Sequence, residues 1–92
     1  MDTAIGFVAE SLLELEGDCQ TLRYYVEETA GEPPVYGIKV EKYRKDILVE
    51  TEFTPPLYYD RAEAEALAKR FAEGSVTPMA LIEMVDEWAY AS

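Results

Sequence analysis

The sequence predicts a single α+β domain: an antiparallel meander of three or four strands, followed by a C-terminal αα-hairpin packed on one face of the sheet. Three observations carry this prediction. Apolar residues alternate with polar ones in the first half of the chain, they recur at helical spacing in the second half, and Pro55-Pro56 separates the halves. A chain of 92 residues is long enough for one compact domain and too short for two, so we expect a single domain over residues 1–92.

Three segments are typical of half-buried strands, because every second residue is apolar. They are residues 21–29, 35–42 and 46–53. In the first, Leu22, Tyr24 and Val26 share one side. Short polar turns connect the segments, so neighbouring strands should pair antiparallel.

The first 16 residues allow two interpretations. The apolar residues of a helix would be Ile5, Val8, Leu12 and Leu15. The alternation Leu13-Glu14-Leu15-Glu16, followed by a turn at Gly17-Asp18, instead favours a strand at 11–16 that pairs with the next one. We expect the strand, and the helix remains the alternative.

Two helices are expected after the proline pair, at residues 60–73 and 78–90. Asp60 with Glu63 is typical of a capping box, and Gly74 is typical of a left-handed stop. Thr77 followed by Pro78 is typical of an N-cap and a first helical residue. The short connector makes the pair an αα-hairpin.

Composition excludes several chemistries. The chain has no His, which removes imidazole base chemistry, Ser–His and Cys–His nucleophile pairs and His-ligated metals. Cys19 is the single cysteine, so neither an internal disulfide nor a thiolate cluster can form. We therefore expect a protein that is not an enzyme, with no catalytic residue, no cofactor and no metal site.

Charge bears on partners and location. Nineteen Asp and Glu against eight Lys and Arg give a formal net charge of -11, which disfavours direct binding to nucleic acid or to anionic lipid. The apolar stretch from Ile5 to Ala9 is too short to cross a membrane. A single thiol and no signal peptide predict a cytoplasmic protein.

Two groups of acidic residues resemble a metal site and a catalytic pair, and both are better explained as solvated surface. Glu83, Asp86 and Glu87 share one helix face and could hold Mg²⁺ or Ca²⁺, but no further ligands accompany them. Glu50 and Glu52 could form an acid–base pair, but an exposed pair lacks the burial that separates two pKa values. The second predicted helix carries no basic residue, which argues against a DNA-reading helix-turn-helix.

Two other groups could contact a protein. Packing at the edge of the core explains the first equally well, and a solvated turn is the commoner explanation of the second. Aromatic side chains with a polar tip are enriched at interfaces. The candidate contact residues are Tyr25, Tyr43, Leu48, Tyr58 and Tyr59. A basic cluster could form the positive end of a surface dipole, and its members are Lys39, Lys42, Arg44 and Lys45.

The order of segments also resembles a known family. The features that carry the resemblance are Leu22-Arg23-Tyr24-Tyr25, Tyr36-Gly37-Ile38-Lys39-Val40, the Asp60-led helix, and Val76-Thr77-Pro78 with a final Met84-Val85-Asp86-Glu87-Trp88. Together they resemble DUF6514, a family of small uncharacterised proteins of anaerobic Firmicutes, over roughly residues 20–90. The resemblance implies a bacterial cytoplasmic protein with this element order, and it implies no activity.

Two hypotheses of function follow. The first is a non-catalytic acidic protein–protein interaction or regulatory module, which could be a homodimer that associates through a sheet face left uncovered. The alternative is a nucleic-acid mimic, whose carboxylates occupy a basic groove of a DNA- or RNA-binding protein. A linear array of carboxylates on one face would favour the second.

Overall fold

A computed structural model describes residues 3–81 and residue 83, and it shows one four-stranded antiparallel sheet in the order β1-β2-β3-β4 followed by helix α1. The elements are β1 Thr3–Leu15, β2 Asp18–Thr29, β3 Val35–Arg44, β4 Ile47–Phe53 and α1 Arg61–Glu73. The predicted α+β class and the antiparallel meander are confirmed. In the N-terminal segment the strand is the right alternative, and it begins eight residues before the predicted start at residue 11.

Both tight hairpins have two-residue loops in which each residue has a positive φ. Glu16 and Gly17, at 51° and 82°, join β1 to β2. Lys45 and Asp46, at 53° and 65°, join β3 to β4. This is the pattern of type I′ turns, whose twist matches that of the flanking strands. The observed turn at Glu16-Gly17 thus lies one residue before the predicted Gly17-Asp18 turn, and β3 continues to Arg44, into the region predicted as the next turn.

A bulge in β4 changes which of its residues share a face. The register places Leu48 opposite Tyr43 and leaves Val49 without a partner. Leu48 therefore lies on the same face as Thr51 and Phe53, whereas strict alternation predicts opposite faces. A second bulge interrupts β1 between Phe7 and Ala9.

Helix α1 covers one face of the sheet, and the core lies between the two layers. The core residues are Leu22, Tyr24, Val26, Tyr36, Ile38 and Val40 from the sheet, Ala64, Leu67, Ala68 and Phe71 from α1, and Leu81. Among the described elements, α1 contacts β1, β2 and β3. Strand β4 therefore extends past the helix, and most of its side chains are exposed.

Two hydrogen bonds attach the segment after α1 to the covered face. The Tyr24 hydroxyl donates to the Val76 carbonyl oxygen at 2.8 Å. The hydroxyls of Ser11 and Ser75 lie 2.7 Å apart. Because the Tyr24 side chain is fully buried, burial raises its pKa to about 12.

Helix α1 lies within one residue of its predicted bounds, but its C-terminal cap differs from the prediction. The Asp60 side chain accepts a hydrogen bond from the amide two residues later, at 3.0 Å. Gly74 has φ -91°, so the prediction that it is the left-handed stop is wrong. Ser75 takes that conformation with φ 50°, and the Val76 amide donates to the Phe71 carbonyl at 3.0 Å. This is a Schellman motif with serine where glycine is usual.

The second predicted helix lies only partly within the described residues. Thr77 acts as its N-cap, because its Oγ1 accepts a hydrogen bond from the Ala80 amide at 3.2 Å. Residues 78–81 and residue 83 are helical, and Leu81 is buried in the core. The rest of the helix predicted at 78–90 lies outside the described residues.

Candidate functional site

The face of the sheet opposite α1 has no covering layer among the described residues, and we call it the open face. Directly paired residues of neighbouring strands lie on the same face, so the register sorts the side chains into rows across the sheet. Three rows are complete: an aromatic row of Phe7, Tyr25, Lys39 and Phe53, a charged row of Glu10, Arg23, Glu41 and Thr51, and a leucine row of Leu12, Thr21, Tyr43 and Leu48.

Large apolar side chains stand at the ends of these rows. Those on the open face are Ile5, Phe7, Leu12, Leu48 and Phe53, and they are 47% to 66% exposed. The rings of Phe7 and Tyr25 meet edge to face, with centroids 5.7 Å apart. Together the five present on the order of 500 Å² of apolar surface, given roughly 150 to 250 Å² for an aromatic side chain. This area is comparable to the largest apolar patch of an ordinary monomer, about 300 to 600 Å², and it is divided between the β1 and β4 edges of the sheet.

Arg23 lies at the centre of the charged row. Its Nε lies 3.6 Å from Glu10 Oε2, and its guanidinium carbon lies 4.8 Å from the centre of the Tyr43 ring. Partial burial acts to lower the pKa of Arg23, but hydrogen bonding with Tyr25 and the charge of Glu10 outweigh it and raise the pKa. The guanidinium is thus held against an aromatic face and a carboxylate.

Glu41 is the acidic counterpart in the same row. It accepts a hydrogen bond from the Tyr43 hydroxyl at 2.8 Å, and the Lys39 ammonium lies 3.5 Å away. Burial alone would raise the pKa of Glu41, but hydrogen bonds from Tyr25 and Tyr43 and the Lys39 charge lower it. Burial, with a further effect of Glu41, raises the pKa of Tyr25 to about 12. At neutral pH these groups keep fixed charges and therefore form a preorganised polar centre within an apolar rim.

A groove of about 250 Å³ lies at one end of the open face. Its lining residues are Glu27, Thr29, Gly37, Phe53, Thr54, Pro55 and Pro56. The groove exists because Gly37 has no side chain where the loop after β4 crosses β3. The Thr54 amide donates to the Ile38 carbonyl at 2.8 Å, and Thr54 Oγ1 accepts from the Ile38 amide at 2.9 Å.

The structure brings together three of the five predicted contact residues. Tyr25, Tyr43 and Leu48 come from three different strands and lie on the open face. Tyr58 instead packs partly buried against the core, and Tyr59 is exposed in the loop before α1. No observation tests contact by any of the five, which stays a prediction.

Sequence reasoning missed the ends and the centre of this face. Phe7 was missed because the strand was expected to begin at residue 11. Phe53 and Leu48 could not be placed together without knowledge of the bulge. Arg23 and Glu41 carried a signal, since each lies on the polar side of a predicted strand, but their pairing depends on the register.

The basic cluster is divided rather than concentrated. Three of its four side chains are ion-paired: Lys39 with Glu41, Lys42 with Glu50, and Arg44 with Asp18. Lys39 lies on the open face, whereas Lys42 and Arg44 lie on the other face. Most of the positive charge is therefore compensated locally, which weakens the interpretation as one end of a dipole.

The other residues considered from the sequence, Cys19 and the acidic groups, do not form a binding or catalytic site within the described residues. Cys19 is free and exposed. Within residues 3–81 and 83, no three His, Cys, Asp or Glu side chains converge as a metal site would require, and Asp86 and Glu87 lie outside the described residues. No helix among the described residues has both the length and the apolar character needed to span a membrane.

Comparison with known proteins gives one positive result. A family model described as a family of unknown function, DUF6514, matches residues 7–91. No curated protein and no solved structure matches the chain. The match covers nearly the whole sequence, from Phe7 within β1 through β2, β3, β4 and α1, and the chain belongs to the DUF6514 family.

Proposed function

We propose that this chain is a non-catalytic interaction module, adaptor or regulatory in role, whose contact surface is the open face and whose partner there is a second copy of the same chain. The observation that carries the proposal is the self-complementary order of the three rows. The size of the face supports the same partner, and its charge is compatible with it.

The size of the face suits a standard interface. Four strands at a spacing of about 4.8 Å and a mean length of about 35 Å give a face on the order of 700 Å². A specific interface buries about 800 Å² on each partner. The open face of one copy is thus large enough to be covered almost completely by the open face of another.

The rows are self-complementary about a two-fold axis that runs along the strands between β2 and β3. Such an axis places β1 over β4 and β2 over β3 of the second copy, so each row meets itself in reverse order. Arg23 then lies opposite Glu41 of the second copy, and Tyr25 lies opposite its Lys39. Phe7 meets Phe53, and Leu12 meets Leu48. A two-fold interface needs this reciprocity, and aligned sheets pack about 10 Å apart with a small twist.

The charge of this face is compatible with pairing of two copies. Within the strands, the open face carries four carboxylates and two cations, a net of -2, in a chain of net -11. The carboxylates are Glu10, Glu14, Glu27 and Glu41, and the cations are Arg23 and Lys39. The electrostatic repulsion between two copies that meet through this face is smaller than the repulsion between two strongly acidic surfaces.

The first experiment measures molecular mass by sedimentation at increasing protein concentration. We expect a dimer that is weakened by Tyr25→Ala and lost on Leu48→Asp. Ile47→Asp is the matched control, because Ile47 is the neighbouring exposed residue and its register partner Arg44 places it on the other face. A monomer at millimolar concentration would refute the dimer, and equal effects of the two aspartates would refute the open face as its interface.

The second experiment tests the register by charge exchange. Arg23→Glu alone and Glu41→Arg alone should each give monomers, because each variant places like charges opposite one another. Mixing the two variants should restore a dimer of one copy of each, since both contacts then join opposite charges. Failure of the mixture to associate, while the unmodified protein dimerises, would contradict the proposed axis.

The finer parts of the fold and setting are also proposals. A complete αα-hairpin over the covered face is supported by the buried Leu81 and by Thr77 as N-cap, and amide exchange across residues 78–90 would test it. A cytoplasmic location is supported by the exposed lone thiol of Cys19. The nucleic-acid mimic lacks a specific observation in its favour, because the described carboxylates are divided among both sheet faces and α1.

A further inference from the structure

We infer that the outer edge of β4 is a docking site for an extended basic segment of a partner protein, which would add to the sheet as a fifth strand. The inference does not depend on the open-face dimer, since face-to-face packing leaves this edge free. It rests on the backbone, the apolar side chains and the carboxylates of β4.

The backbone of this edge is available. No described strand pairs with β4 on its outer side, and α1 does not reach it. The Thr54 amide donates inward, to Ile38 of β3. Because neighbouring residues of a strand direct their backbone groups to opposite sides, Thr51 and Phe53 direct their N–H and C=O groups outward. These are the groups that strand addition uses.

The side chains of β4 protect the edge only in part. Edge strands are commonly blocked by Lys, Pro, other charged residues or a bulge; β4 has no Lys or Pro, and its two carboxylates and one bulge remain. Its four large apolar side chains are 46% to 66% exposed: Ile47, Leu48, Val49 and Phe53. The bulge at Val49 leaves residues 50–53 as a regular paired segment.

The carboxylates of β4 decide which occupant fits. Glu50 and Glu52 alternate with Thr51 and Phe53. If two β4 strands paired antiparallel through residues 50–53, a glutamate of one copy, Glu50 or Glu52, would lie directly opposite a glutamate of the other copy. Like charges so placed are destabilising, so a second copy is disfavoured at this edge. Glu50 is already ion-paired with Lys42 of β3, whereas Glu52 has no cation among the described ion pairs.

The complementary occupant is an extended segment in which Lys or Arg alternates with apolar residues. Its cations would lie opposite Glu50 and Glu52, and its apolar side chains would lie beside Leu48 and Phe53. Main-chain hydrogen bonds would supply affinity, and the charge pattern would supply specificity.

The probe is a fluorescent, end-blocked peptide of alternating lysine and valine, compared with its glutamate–valine counterpart. Lys42 already compensates Glu50, so the new charge pair comes mainly from Glu52, and we expect the lysine peptide to bind about fivefold tighter than the glutamate peptide at low salt. The difference should shrink as salt rises. Amide exchange should slow at Thr51 and Phe53.

Two variants separate strand addition from simple charge attraction. Thr51→Pro removes an outward N–H without removing a hydrogen bond to β3, so it should abolish binding, whereas Thr51→Val should bind like the unmodified chain. If the proline variant does not fold, Glu52→Lys tests the same inference by shifting the preference towards the glutamate peptide.

Equal binding of both peptides, or protection at β1 instead of β4, would overturn the inference. Arg23→Glu should leave peptide binding intact, which separates this result from failure of the dimer.

Discussion

Gly37 offers the sharpest test of the packing, because the same substitution at Gly74 should act in the opposite direction. A methyl group at Gly37 would lie 3.0 Å from Thr54 Oγ1 and 3.1 Å from the carbonyl oxygens of Thr54 and Pro55. Two of these three atoms belong to the backbone of the crossing loop. They cannot give way without disturbing the hydrogen bonds between Thr54 and Ile38.

The magnitude follows from two opposing effects. Replacing glycine by alanine restricts the unfolded chain and stabilises by about 0.4 to 1 kcal/mol where the native geometry allows it. Overpacking in a well-packed region costs about 1 to 3 kcal/mol. At Gly37 the steric cost is larger, so Gly37→Ala should lower the free energy of unfolding by about 1 to 2 kcal/mol.

At Gly74 only the favourable effect remains. Its φ is -91°, and the nearest atom to an added methyl group is 3.8 Å away. Gly74→Ala should therefore stabilise by about 0.5 kcal/mol. Urea unfolding followed by circular dichroism measures both variants. A neutral or stabilising Gly37→Ala would refute the proposed contact between β3 and the loop after β4.

Two further predictions concern the turn after β3 and a buried hydroxyl. Replacing Lys45-Asp46 by Asn-Gly should raise the free energy of unfolding by about 1 kcal/mol, because both positions have positive φ; unchanged urea stability would argue against the type I′ turn. Tyr24→Phe should lower stability at neutral pH by about 1 kcal/mol through loss of the hydrogen bond to Val76. The pKa of Tyr24 is about 12 in the folded state and about 10 when unfolded, so its contribution is complete below about pH 10 and is lost as the pH rises towards 12. The difference between Tyr24→Phe and the unmodified chain should therefore shrink over that range in pH-dependent urea unfolding, and a constant difference would contradict the assignment.

The sheet was predictable because alternation is a local signal. Leu22, Tyr24 and Val26 are buried on the face that the pattern predicts, and so are Tyr36, Ile38 and Val40. The N-caps were predictable for the same reason, since Asp60 and Thr77 act on amides within three residues. Strand ends were less accurate, because a type I′ turn depends on positive φ values that Lys45 and Asp46 rarely adopt.

The C-terminal end of α1 shows how a local rule can fail. Glycine usually takes the left-handed position after a helix, so Gly74 was the reasonable prediction. Ser75 takes it instead, and its hydroxyl lies 2.7 Å from that of Ser11 on β1. Ser11 is 64 residues earlier in the chain, and no local pattern could reveal that contact.

The candidate surface was predictable only in part. The sequence predicts one sheet and one pair of helices, and a single helical layer can cover only one face of a sheet. An uncovered face that bears Tyr25 and Leu48 was therefore predictable. The rows did not follow, because the bulge at Val49 and the extension of β1 to Phe7 set the register. A one-residue change in register moves a side chain to the other face, so row membership is a property of the pairing.

The sequence by itself determined that this is an acidic α+β domain without histidine chemistry, since composition and short-range periodicity carry that information. The tertiary structure decided how the charge is used. It pairs Arg44 with Asp18 and Lys42 with Glu50, it places Arg23 and Glu41 side by side at the centre of the open face, and it leaves Glu52 on an unpaired edge. The paired residues lie 8 to 26 positions apart along the chain, and the strand register decides which of them become neighbours.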